Sequence, residues 1–357
     1  MKDKTKKILL TGGGTGGSVS PLLAIYDALK GDGYKFLWIG TRDGIEKEMV
    51  VKEGIKYMSV PNGKLRRYLS WRNLVDPIFV IAGFFKASFL VLKHRPSIVI
   101  SAGSFVSVPV VWAAWFFGVP VLIHQQDARP GLANRLMSPF ADVVTVTFEK
   151  SFQDYGDRAI WVGNFVRNLV TGNESSTKNK FDFKSVLPVV LVVGGGTGAM
   201  AINKLVEESL EELTRFCQII HVTGKGKFIN QKTLSSNYKQ FEFLQRDEMS
   251  EALRVADVIV TRAGLGSLTE ISHLKKPSII IPMPDSHQEE NAQVFRDNNA
   301  AFVLNQKDLS KELFIEKIRE LLNDKELQKL FSENVSKVIK RGANERVVKI
   351  INNMISK

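Results

Sequence analysis

The sequence predicts an α/β protein with two doubly wound domains, each built on a parallel sheet. An apolar run at residues 8–10 leads into a glycine-rich stretch and then into helical spacing of apolar residues. The five residues 12–16, Gly-Gly-Gly-Thr-Gly, recur letter for letter at 194–198, again after an apolar run and about half a chain length later. Apolar strands and amphipathic helices also alternate along the whole chain, which is typical of parallel sheets with right-handed crossovers.

The length and the position of the repeat set the domain boundaries. A chain of 357 residues is long for a single core. Residues 168–184 are rich in Asn, Ser, Thr, Gly and Lys and show little apolar periodicity, which indicates a linker. We therefore expect a first domain over 1–167 and a second over 185–357, with the last helix able to pack back on the first domain.

Charge and cysteine usage limit the classes of function. The net charge is +12, and residues 1–170 carry most of it. The sequence contains no zinc-finger spacing, RNP-like motif or long basic run, so the charge favours phosphate substrates or an anionic membrane surface over nucleic acid. The single cysteine, Cys217, excludes a disulfide framework and suits a reducing cytoplasm. The basic N-terminus is followed by a strand pattern, so we expect no secretory signal.

The stretch 78–92 is apolar on nearly every helical face, yet it is too short to span a bilayer. It is either a helix wedged between other helices or a helix that lies in a membrane interface. A second aromatic-rich segment at 111–117 favours the interfacial interpretation. That interpretation places three phenylalanines outward and four basic residues near lipid headgroups, namely Phe79, Phe84, Phe85, Lys64, Arg66, Arg67 and Arg72.

The polar clusters follow the predicted strands, where ligands bind in parallel sheets. We expect strands at 35–40, 97–101, 119–124 and 143–147 in the first half, and at 189–193, 219–223, 242–244, 258–261, 278–281 and 301–304 in the second.

The first glycine loop has the form of an anion-binding site at a helix N-terminus. Gly12, Gly14 and Gly17 match the dinucleotide-binding fingerprint. The second predicted strand ends Ile-Gly-Thr-Arg at 39–42, without the acidic residue that holds a ribose, so NAD fits poorly and NADP fits only through Arg42. No Lys-Ser/Thr pair follows the glycines, so the loop is not a P-loop.

A more specific cluster occupies residues 261–270, where a glycine turn follows a strand and opens a helix. Glu270 is placed to hold the two hydroxyls of a ribose, and the turn's N–H groups to face a base or a phosphate. The alternative is that Glu270 only provides a favourable charge near the helix N-terminus. A second loop at 282–292 opens another helix at the same sheet edge. Together the loops predict a cleft for a nucleotide diphosphate.

These motifs, in this order, resemble those of the MurG family of bacterial glycosyltransferases along essentially the whole chain. The matching segments are the first glycine loop with Pro21, residues 103–109, 124–134 and 163–167, the second glycine loop, and residues 262–270 and 288–292. The resemblance implies a GT-B fold, with two domains facing each other across a cleft. It implies inverting transfer from UDP-N-acetylglucosamine to a lipid-linked muramyl-peptide in peptidoglycan synthesis, at the cytoplasmic face of the membrane and with peripheral attachment.

The resemblance also implies roles for individual residues, without a cofactor or a metal. Arg167 and residues 195–197 would stabilise the departing diphosphate. No Asp-x-Asp occurs in the chain, which agrees with a diphosphate held without a metal site. The implied acceptor contacts are Ser18, Ser104, Phe105 and Asn134. The implied donor contacts are Thr15, Gly16, Gly17, Asp127, Arg167, Gly196, Thr197, Arg262, Gly264, Leu265, Gly266, Ser267, Glu270 and Gln288.

The sequence departs from the family where the acceptor is activated. The family's Gly-Gly-His ends in Ser18 here, its His-Glu-Gln-Asn is His-Gln-Gln-Asp at 124–127, and its usual Tyr is Phe105. We predict that Asp127 is the general base, with His124 the next candidate, and that Ser18 positions the acceptor or a water. The alternatives are that Asp127 only caps a turn, that the acceptor is a different molecule, or that the chain is a catalytically degenerate binder of nucleotide sugars.

Overall fold

The computed structural model describes residues 6–14, 16–63, 72–167, 181, 183, 186–195, 198–229 and 235–356. The chain divides into two compact units. Unit 1 comprises Met1–Asn168 and Lys340–Lys357, and unit 2 comprises Leu169–Ile339. The last 18 residues lie in unit 1; the sequence analysis counted them with the second domain but allowed the last helix to pack back on the first. Apart from residues 181 and 183, the expected linker at 168–184 lies outside the described residues.

Unit 1 alternates strands with helices from its first strand to its last, as the sequence predicts. Its elements in chain order are β1 (Lys7–Thr11), α1 (Gly16–Leu29), β2 (Lys35–Gly40), α2 (Glu46–Lys52), β3 (Lys56–Ser59), α3 (Arg72–His94), β4 (Ile98–Ser101), α4 (Ser107–Phe116), β5 (Val121–Gln125), α5 (Leu132–Met137), β6 (Val143–Val146), α6 (Phe152–Tyr155) and β7 (Ala159–Trp161).

The seven strands of unit 1 form one parallel sheet in the order β3-β2-β1-β4-β5-β6-β7. Successive residues of a strand face opposite sides, so β1 sends Leu9 into one core and Ile8 and Leu10 into the other. Helices cover both faces, which explains why the central strands are apolar throughout.

Unit 2 follows a similar plan, except that no helix separates β9 from β10 among the described residues, and it adds helices at its C-terminal end. Its elements are β8 (Val189–Val193), α7 (Met200–Leu213), β9 (Gln218–Val222), β10 (Tyr238–Phe241), α8 (Arg246–Val255), β11 (Val258–Thr261), α9 (Leu265–Leu274), β12 (Ser278–Ile280), α10 (His287–Asp297), β13 (Phe302–Val303), α11 (Lys311–Asn323) and α12 (Lys325–Val338).

The six strands of unit 2 are also parallel, in the order β10-β9-β8-β11-β12-β13. On one face, Val190 and Val192 of β8 pack with residues of α7 and α11. In both units the strand order reverses beside the strand that carries the glycine loop, between β1 and β4 and between β8 and β11. The prediction of two doubly wound parallel-sheet domains is confirmed.

The final helix, α13 (Ala343–Ser356), belongs to unit 1. It buries Ala343, Val347 and Ile351 in the same core as Ile8 and Leu10. The chain therefore completes its first domain with its last residues.

One strand prediction is wrong in position. Residues 242–244 were expected to form a strand, but β10 lies earlier, at Tyr238–Phe241. It is the edge strand, it is only partly buried, and its polar residues Lys239 and Gln240 carry little of the apolar signal of the central strands.

Candidate active site

The strand orders place a candidate site at the carboxyl end of each sheet. In open α/β sheets, ligands bind where the strand order reverses. In unit 2 this position lies between the loops that follow β8 and β11, and in unit 1 between the loops that follow β1 and β4. The glycine stretches singled out from the sequence occupy these loops.

The second glycine loop is packed so closely that its first and last glycines have no room for a side chain. A Cβ at Gly194 would lie 2.4 Å from the amide nitrogen of Ala199, and a Cβ at Gly198 would lie 2.0 Å from the carbonyl oxygen of Thr223. Gly195 and Gly198 also have positive φ angles, of 87° and 70°. The predicted donor contacts Gly196 and Thr197 lie outside the described residues.

The loop after β11 leads into helix α9, and the space in front of the first turn of this helix is empty of protein atoms. Gly264 is the N-cap, and helical residues start at Leu265. A Cβ at Gly264 or Gly266 would meet no atom within 4 Å. The first N–H groups of a helix lack intrahelical partners, so this open helix start suits an anion or a polar ligand. Ser267 is half-buried in the same turn.

Arg262, a predicted donor contact, is buried and its guanidinium braces the neighbouring loop. It donates to the carbonyl oxygens of Ile281 and Pro282 at 3.0 and 2.9 Å, and to Gln306 Oε1 at 2.5 Å. Burial lowers its pKa. The structure therefore shows Arg262 as a residue that positions the loop after β12.

Asn291 provides a second connection between these elements, from helix α10 to the loop after β11. Its side chain is buried, and its Nδ2 donates to the carbonyl oxygen of Ala263 at 3.3 Å. Helix α10 and the loop after β11 are thereby tied together. The sequence analysis placed Asn291 in a motif without giving it a role.

Glu270 and Gln288 lie on the two elements that this brace joins. Glu270 is half-buried in the second turn of α9. Gln288 is in the first turn of α10, where its backbone N–H donates to the N-cap hydroxyl of Ser286 and its Oε1 accepts from the N–H of Met283 at 3.1 Å. Their predicted roles in donor binding stay predictions.

Large apolar side chains stand exposed around the same sheet edge. Each follows the carboxyl end of a different strand: Met200, Phe228, Phe243 and Met283. The sequence analysis did not single them out, although apolar residues in loops at this edge are a signal of ligand contact.

In unit 1, Ser18 lies at the third position of α1 and is buried. Its hydroxyl donates to the carbonyl oxygen of Gly13 at 3.1 Å, so it fastens the first glycine loop to the helix. Gly16 is half-buried and Gly17 is exposed at the start of α1, while Thr15 lies outside the described residues. The predicted contact of Ser18 with the acceptor stays a prediction, and in this arrangement the hydroxyl oxygen can only accept a hydrogen bond from it.

Glu46, which the sequence analysis did not select, is the buried carboxylate of the first glycine loop. It accepts hydrogen bonds from the N–H of Gly14 at 3.0 Å, from the N–H of Thr41 at 2.8 Å and from the Thr41 hydroxyl at 2.5 Å. Burial raises its pKa, but these hydrogen bonds outweigh burial, and the net pKa lies below the ordinary value. A Cβ at position 13 would collide with this carboxylate, which explains why a glycine, without a side chain, occupies that position.

The predicted base, Asp127, lies half-buried in a loop that Gln125 holds in place. The side chain of Gln125 is buried at the end of β5, and its Nε2 donates to the carbonyl oxygens of Asp127 and Arg129 at 2.7 and 3.2 Å. Its Oε1 accepts from Asn134 at 2.6 Å and from the Tyr155 hydroxyl at 2.8 Å. The family's glutamate is thus replaced by an amide, which donates and accepts at once.

His124 is fully buried beneath this loop. Its ring nitrogens lie 3.1 Å from Thr145 Oγ1 and 3.1 Å from Asn164 Oδ1, and its ring packs on Phe165. Burial lowers its pKa to about 4, against smaller opposing contributions from these hydrogen bonds. The side chain is thus buried, with a protein oxygen beside each ring nitrogen, and the role of His124 as the alternative base stays a prediction.

The predicted acceptor contacts differ in what they offer to a ligand. Ser104 is half-exposed and has a φ of 93°, a conformation that costs a non-glycine residue about 1–3 kcal/mol and is often found at functional sites. Phe105 is partly buried and packs on the core of unit 1. Asn134 is buried, and its Oδ1 has no hydrogen-bond partner among the described residues.

Arg167 forms two ion pairs within unit 1. Its Nε lies 2.7 Å from Asp27 Oδ2, and its Nη2 lies 2.7 Å from Glu53 Oε1. Stabilisation of a departing diphosphate by Arg167 stays a prediction.

One face of α3 and the end of α4 carry exposed apolar side chains, which we call the apolar surface. Phe84 is half-buried between the core and Phe116, which corrects its predicted outward position. Among the described residues, no helix combines the length and the apolar character needed to cross a membrane. Lys64, Arg66, Arg67 and the side chain of Arg72 lie outside the described part of the chain. The apolar surface consists of Ile78, Phe79, Ile81, Phe85, Phe89, Leu92, Trp115 and Phe116, with exposed fractions from 47% to 67%.

Two parallel-sheet domains with glycine loops at their switch points define the fold class of the GT-B glycosyltransferases. Residues 8–146 match the model of the glycosyltransferase family 28 N-terminal domain, and residues 189–347 match that of its C-terminal domain. The chain belongs to glycosyltransferase family 28.

Individual relatives agree with this assignment. The chain is 40% identical over 329 residues to the UDP-N-acetylglucosamine–N-acetylmuramyl-(pentapeptide) pyrophosphoryl-undecaprenol N-acetylglucosamine transferase of Clostridium tetani, covering 90% of this chain and 91% of the relative. It is 39% identical to the transferase of the same name from Geobacillus kaustophilus, covering 90% and 92%. The crystal structure of Acinetobacter baumannii MurG shares the fold, with a TM-score of 0.79 and 24% identity over 98% of this chain and 99% of that one.

Proposed function

We propose that this protein transfers N-acetylglucosamine from UDP-N-acetylglucosamine to a lipid-linked N-acetylmuramyl-peptide. The observation that carries the proposal is the 40% identity, over 90% of the chain, to a relative whose name states that reaction. The loops of unit 2 that Arg262 and Asn291 connect support it. Helix α9 begins there with free space in front of its first turn, and it carries the carboxylate of Glu270 in its second turn.

Donor binding is assigned to unit 2. Glu270 accepts hydrogen bonds from the ribose hydroxyls, and the turn from Gly264 to Ser267 faces the nucleotide. Gln288 contacts the nucleotide sugar, and the second glycine loop receives the diphosphate. Arg262 and Asn291 act indirectly, because their hydrogen bonds connect the loop before helix α9, which carries Glu270, to the loop before helix α10 and to α10 itself, which carries Gln288.

Acceptor activation is assigned to unit 1. Inverting transfer is a single displacement at the anomeric carbon, and the acceptor hydroxyl loses its proton as the new bond forms. Asp127 takes this proton, because its loop is held rigidly by Gln125 and because the alternative base, His124, is buried. The strained Ser104 lies at the neighbouring strand end and contacts the acceptor.

The apolar surface binds the membrane that carries the lipid-linked acceptor. On α3 its members other than Phe79 follow the spacing 78, 81, 85, 89 and 92, which is one face of a helix. Exposed Lys86 and Lys93 lie on the same helix and suit anionic lipid headgroups. We place the protein at the cytoplasmic face of the bacterial membrane, as a peripheral protein.

A transfer assay tests the proposal. The full chain is incubated with labelled UDP-N-acetylglucosamine and a lipid-linked muramyl-peptide analogue, and the labelled lipid product is separated and counted. Glu270→Ala should raise the apparent constant for the donor about tenfold or more, since it removes charge-assisted hydrogen bonds worth about 1.5–3 kcal/mol. Glu289→Ala, at an exposed position in α10, is the matched control. The absence of labelled lipid with the wild type would overturn the proposal.

A further inference from the structure

Basic side chains gather at the amino-terminal edge of the sheet of unit 1, opposite the edge that carries the candidate site. The neighbouring strands β1, β2 and β3 begin with Lys7, Lys35 and Lys56. Helix α3 ends at the same edge, and Arg95 follows it before β4 begins. We call Lys7, Lys35, Lys56 and Arg95 the basic edge.

The strand register shows that the three lysines face the same side of the sheet. Lys7 pairs with Lys35, and Lys56 pairs with Leu37, which is two residues after Lys35. Paired residues of parallel strands face the same side, and so do residues two apart in a strand. Leu37 belongs to the core that also contains Val91 of α3. The lysines therefore face the side that α3 covers, at the point where α3 ends.

Contacts at the end of α3 confirm this clustering. The ammonium of Lys7 donates to the carbonyl oxygen of His94 at 2.8 Å. Burial lowers the pKa of His94, and the positive charges of Lys56, Lys7 and Lys93 lower it further. Charges near a protein surface act on one another only over short distances in salt solution. Lysines from two strands thus lie close to one imidazole at the end of α3.

One member of the basic edge has an ordinary structural role, and three do not. A cation is favourable at a helix C-terminus, which accounts for Lys7 beside the last carbonyl groups of α3. Lys35, Lys56 and Arg95 are exposed, and none of them forms an ion pair with another described residue. Their positive charges face the solvent.

The acidic residues that precede β2 and β3 do not neutralise this charge. Glu53, before β3, lies 2.7 Å from Arg167 Nη2 and is paired with that guanidinium. Asp32, in the turn before β2, is exposed and forms no ion pair with the basic edge in the described part of the chain. An excess of positive charge therefore remains at this edge.

Arg95 adds to this excess at a position that usually favours glycine. Its φ is 47°, the left-handed conformation that glycine commonly adopts after the end of a helix. An arginine here gives up backbone stability and contributes a further exposed charge.

The layers of unit 1 favour a protein partner over a membrane. The apolar surface lies on the outer face of α3, whereas the lysines of the basic edge belong to the sheet beneath that helix. A bilayer on the outer face is separated from the sheet by the width of a helix, about 10–12 Å. This is roughly the screening length at 0.1 M salt, so the strand lysines gain little from lipid headgroups. A narrow, flexible polyanion can reach the sheet edge directly.

We propose that the basic edge binds an acidic peptide segment of a partner protein. The carboxylates of such a segment supply negative charge to side chains that face the solvent. Because the amino-terminal and carboxyl-terminal edges of a parallel sheet are opposite, the partner does not cover the candidate active site. It can therefore stay bound while transfer takes place, and the inference is independent of the proposed function.

Binding of a fluorescein-labelled decaglutamate peptide to the full chain, followed by fluorescence anisotropy, tests the inference. The triple variant Lys35→Gln/Lys56→Gln/Arg95→Gln should bind the peptide about fivefold more weakly or worse, because it removes three exposed charges from one surface. Higher salt should weaken binding by the wild type and reduce this difference.

The matched control removes the same charge elsewhere. Lys325→Gln/Lys329→Gln/Lys337→Gln changes three exposed lysines of α12 in unit 2, and it should alter the affinity less than about twofold. Equal weakening in the two triple variants would show a response to net charge alone and would overturn the inference. A wild type that does not bind the peptide at low salt would also overturn it.

Carbodiimide cross-linking locates the bound peptide, since it joins a lysine amine to a carboxylate as an amide while the carbodiimide takes up the water. Mass spectrometry should find the peptide on Lys35 and Lys56, and cross-links confined to unit 2 would contradict the assignment. Co-sedimentation with phosphatidylglycerol vesicles should be equal for the wild type and the Lys35/Lys56/Arg95 variant. A loss of vesicle binding as large as the loss of peptide binding would identify the basic edge as a lipid contact and overturn the peptide partner. Each of these readouts is independent of transfer activity.

Discussion

Glu46 shows how a single buried side chain can hold a loop in place, because it binds the N–H of Gly14 in the first glycine loop and the N–H of Thr41. Its carboxylate is buried, and it stays ionised because the hydrogen bonds that it accepts stabilise the charge more than burial destabilises it. This role of Glu46 could not be predicted from the sequence, for two reasons. Glu46 is separated from Gly14 by about 30 residues, and an acidic residue at the start of α2 has an ordinary explanation as a favourable charge near a helix N-terminus.

Glu46→Gln should therefore destabilise unit 1 in a pH-dependent way. A carboxyl group whose folded-state pKa is lowered stabilises the fold above its ordinary pKa, and this contribution is lost as the pH falls through the folded-state value. Near neutral pH we expect the variant to lose about 1–3 kcal/mol of unfolding free energy, and the difference from the wild type to shrink in acid.

Urea unfolding followed by tryptophan fluorescence measures this change, because all five tryptophans lie at positions 38–161 and so report on unit 1. His124 also destabilises the fold in acid, since burial lowers its pKa, but it is present in both proteins and cancels in the difference. Glu48→Gln, at an exposed position of the same helix, is the control. A difference between wild type and Glu46→Gln that grows in acid would contradict the assignment.

Asp127→Asn tests the base. If Asp127 accepts the acceptor proton, the variant should keep its fold and its UDP affinity but lose turnover by about 10²–10⁴. The acidic limb of the pH–rate profile should disappear with it. The measurement is initial rate against pH, with the exposed Asp157→Asn of unit 1 as the control. Near-normal turnover would show that another group removes the proton.

Some features of the candidate site could be predicted from the sequence and others could not. Glycine loops and strand ends were predictable, because local spacing determines them, and Arg262, Asp127 and Glu270 do lie in loops or helices next to strand ends. The direction of a side chain was not predictable. Arg262 and Arg167 have the charge that a diphosphate needs, yet tertiary packing turns both toward protein oxygens.

At the scale of the element, central strands could be predicted from the sequence, whereas edge strands could not. The central strands β1, β4, β8 and β11 are buried on both faces, so continuous apolar runs predicted them. The edge strands β3 and β10 are partly exposed and polar, and their apolar signal is weak. The first was not predicted, and the second was predicted four residues too late.

Helix α3 illustrates an element with two environments. Ala87 and Val91 are buried in the core of unit 1, and the opposite face carries the apolar surface. The sequence showed apolar residues all round the helix but could not assign them to a face, so Phe84 was misplaced.

Replacing exposed members of the apolar surface should weaken membrane binding without unfolding the protein. Phe85→Ser and Phe89→Ser remove side chains that are 67% and 62% exposed, so little packing is lost. We expect reduced co-sedimentation with anionic vesicles, and a further reduction at high salt, which screens the contribution of the lysines. Phe243→Ser in unit 2, at a side chain that is 60% exposed, is the matched control. Equal binding of all three variants and the wild type would show that the apolar surface does not contact lipid.

At the scale of the whole molecule, the duplicated glycine loop predicted two similar domains but not their exact composition. The repeat suggests that the chain divides once, near its middle. Unit 1 also includes the C-terminal helix α13, which the domain prediction allowed to pack back on the first domain and which packs beside α1 in the core. Its amphipathic pattern indicated a helix with one buried face, but such a pattern does not specify which sheet covers that face.

This arrangement predicts that a core substitution near the C-terminus weakens the N-terminal domain. Ile351 is fully buried in the core that contains Ile8 and Leu10, so Ile351→Ala should cost unit 1 about 2–5 kcal/mol. The midpoint of the tryptophan-monitored urea transition should fall, while UDP affinity, assigned to unit 2, should be preserved under native conditions. Ile318→Ala is the matched control, since Ile318 is equally buried but lies in the core of unit 2. It should leave the tryptophan-monitored midpoint in place. If both variants shift that midpoint equally, the two units unfold together, and the C-terminal helix does not act on unit 1 alone.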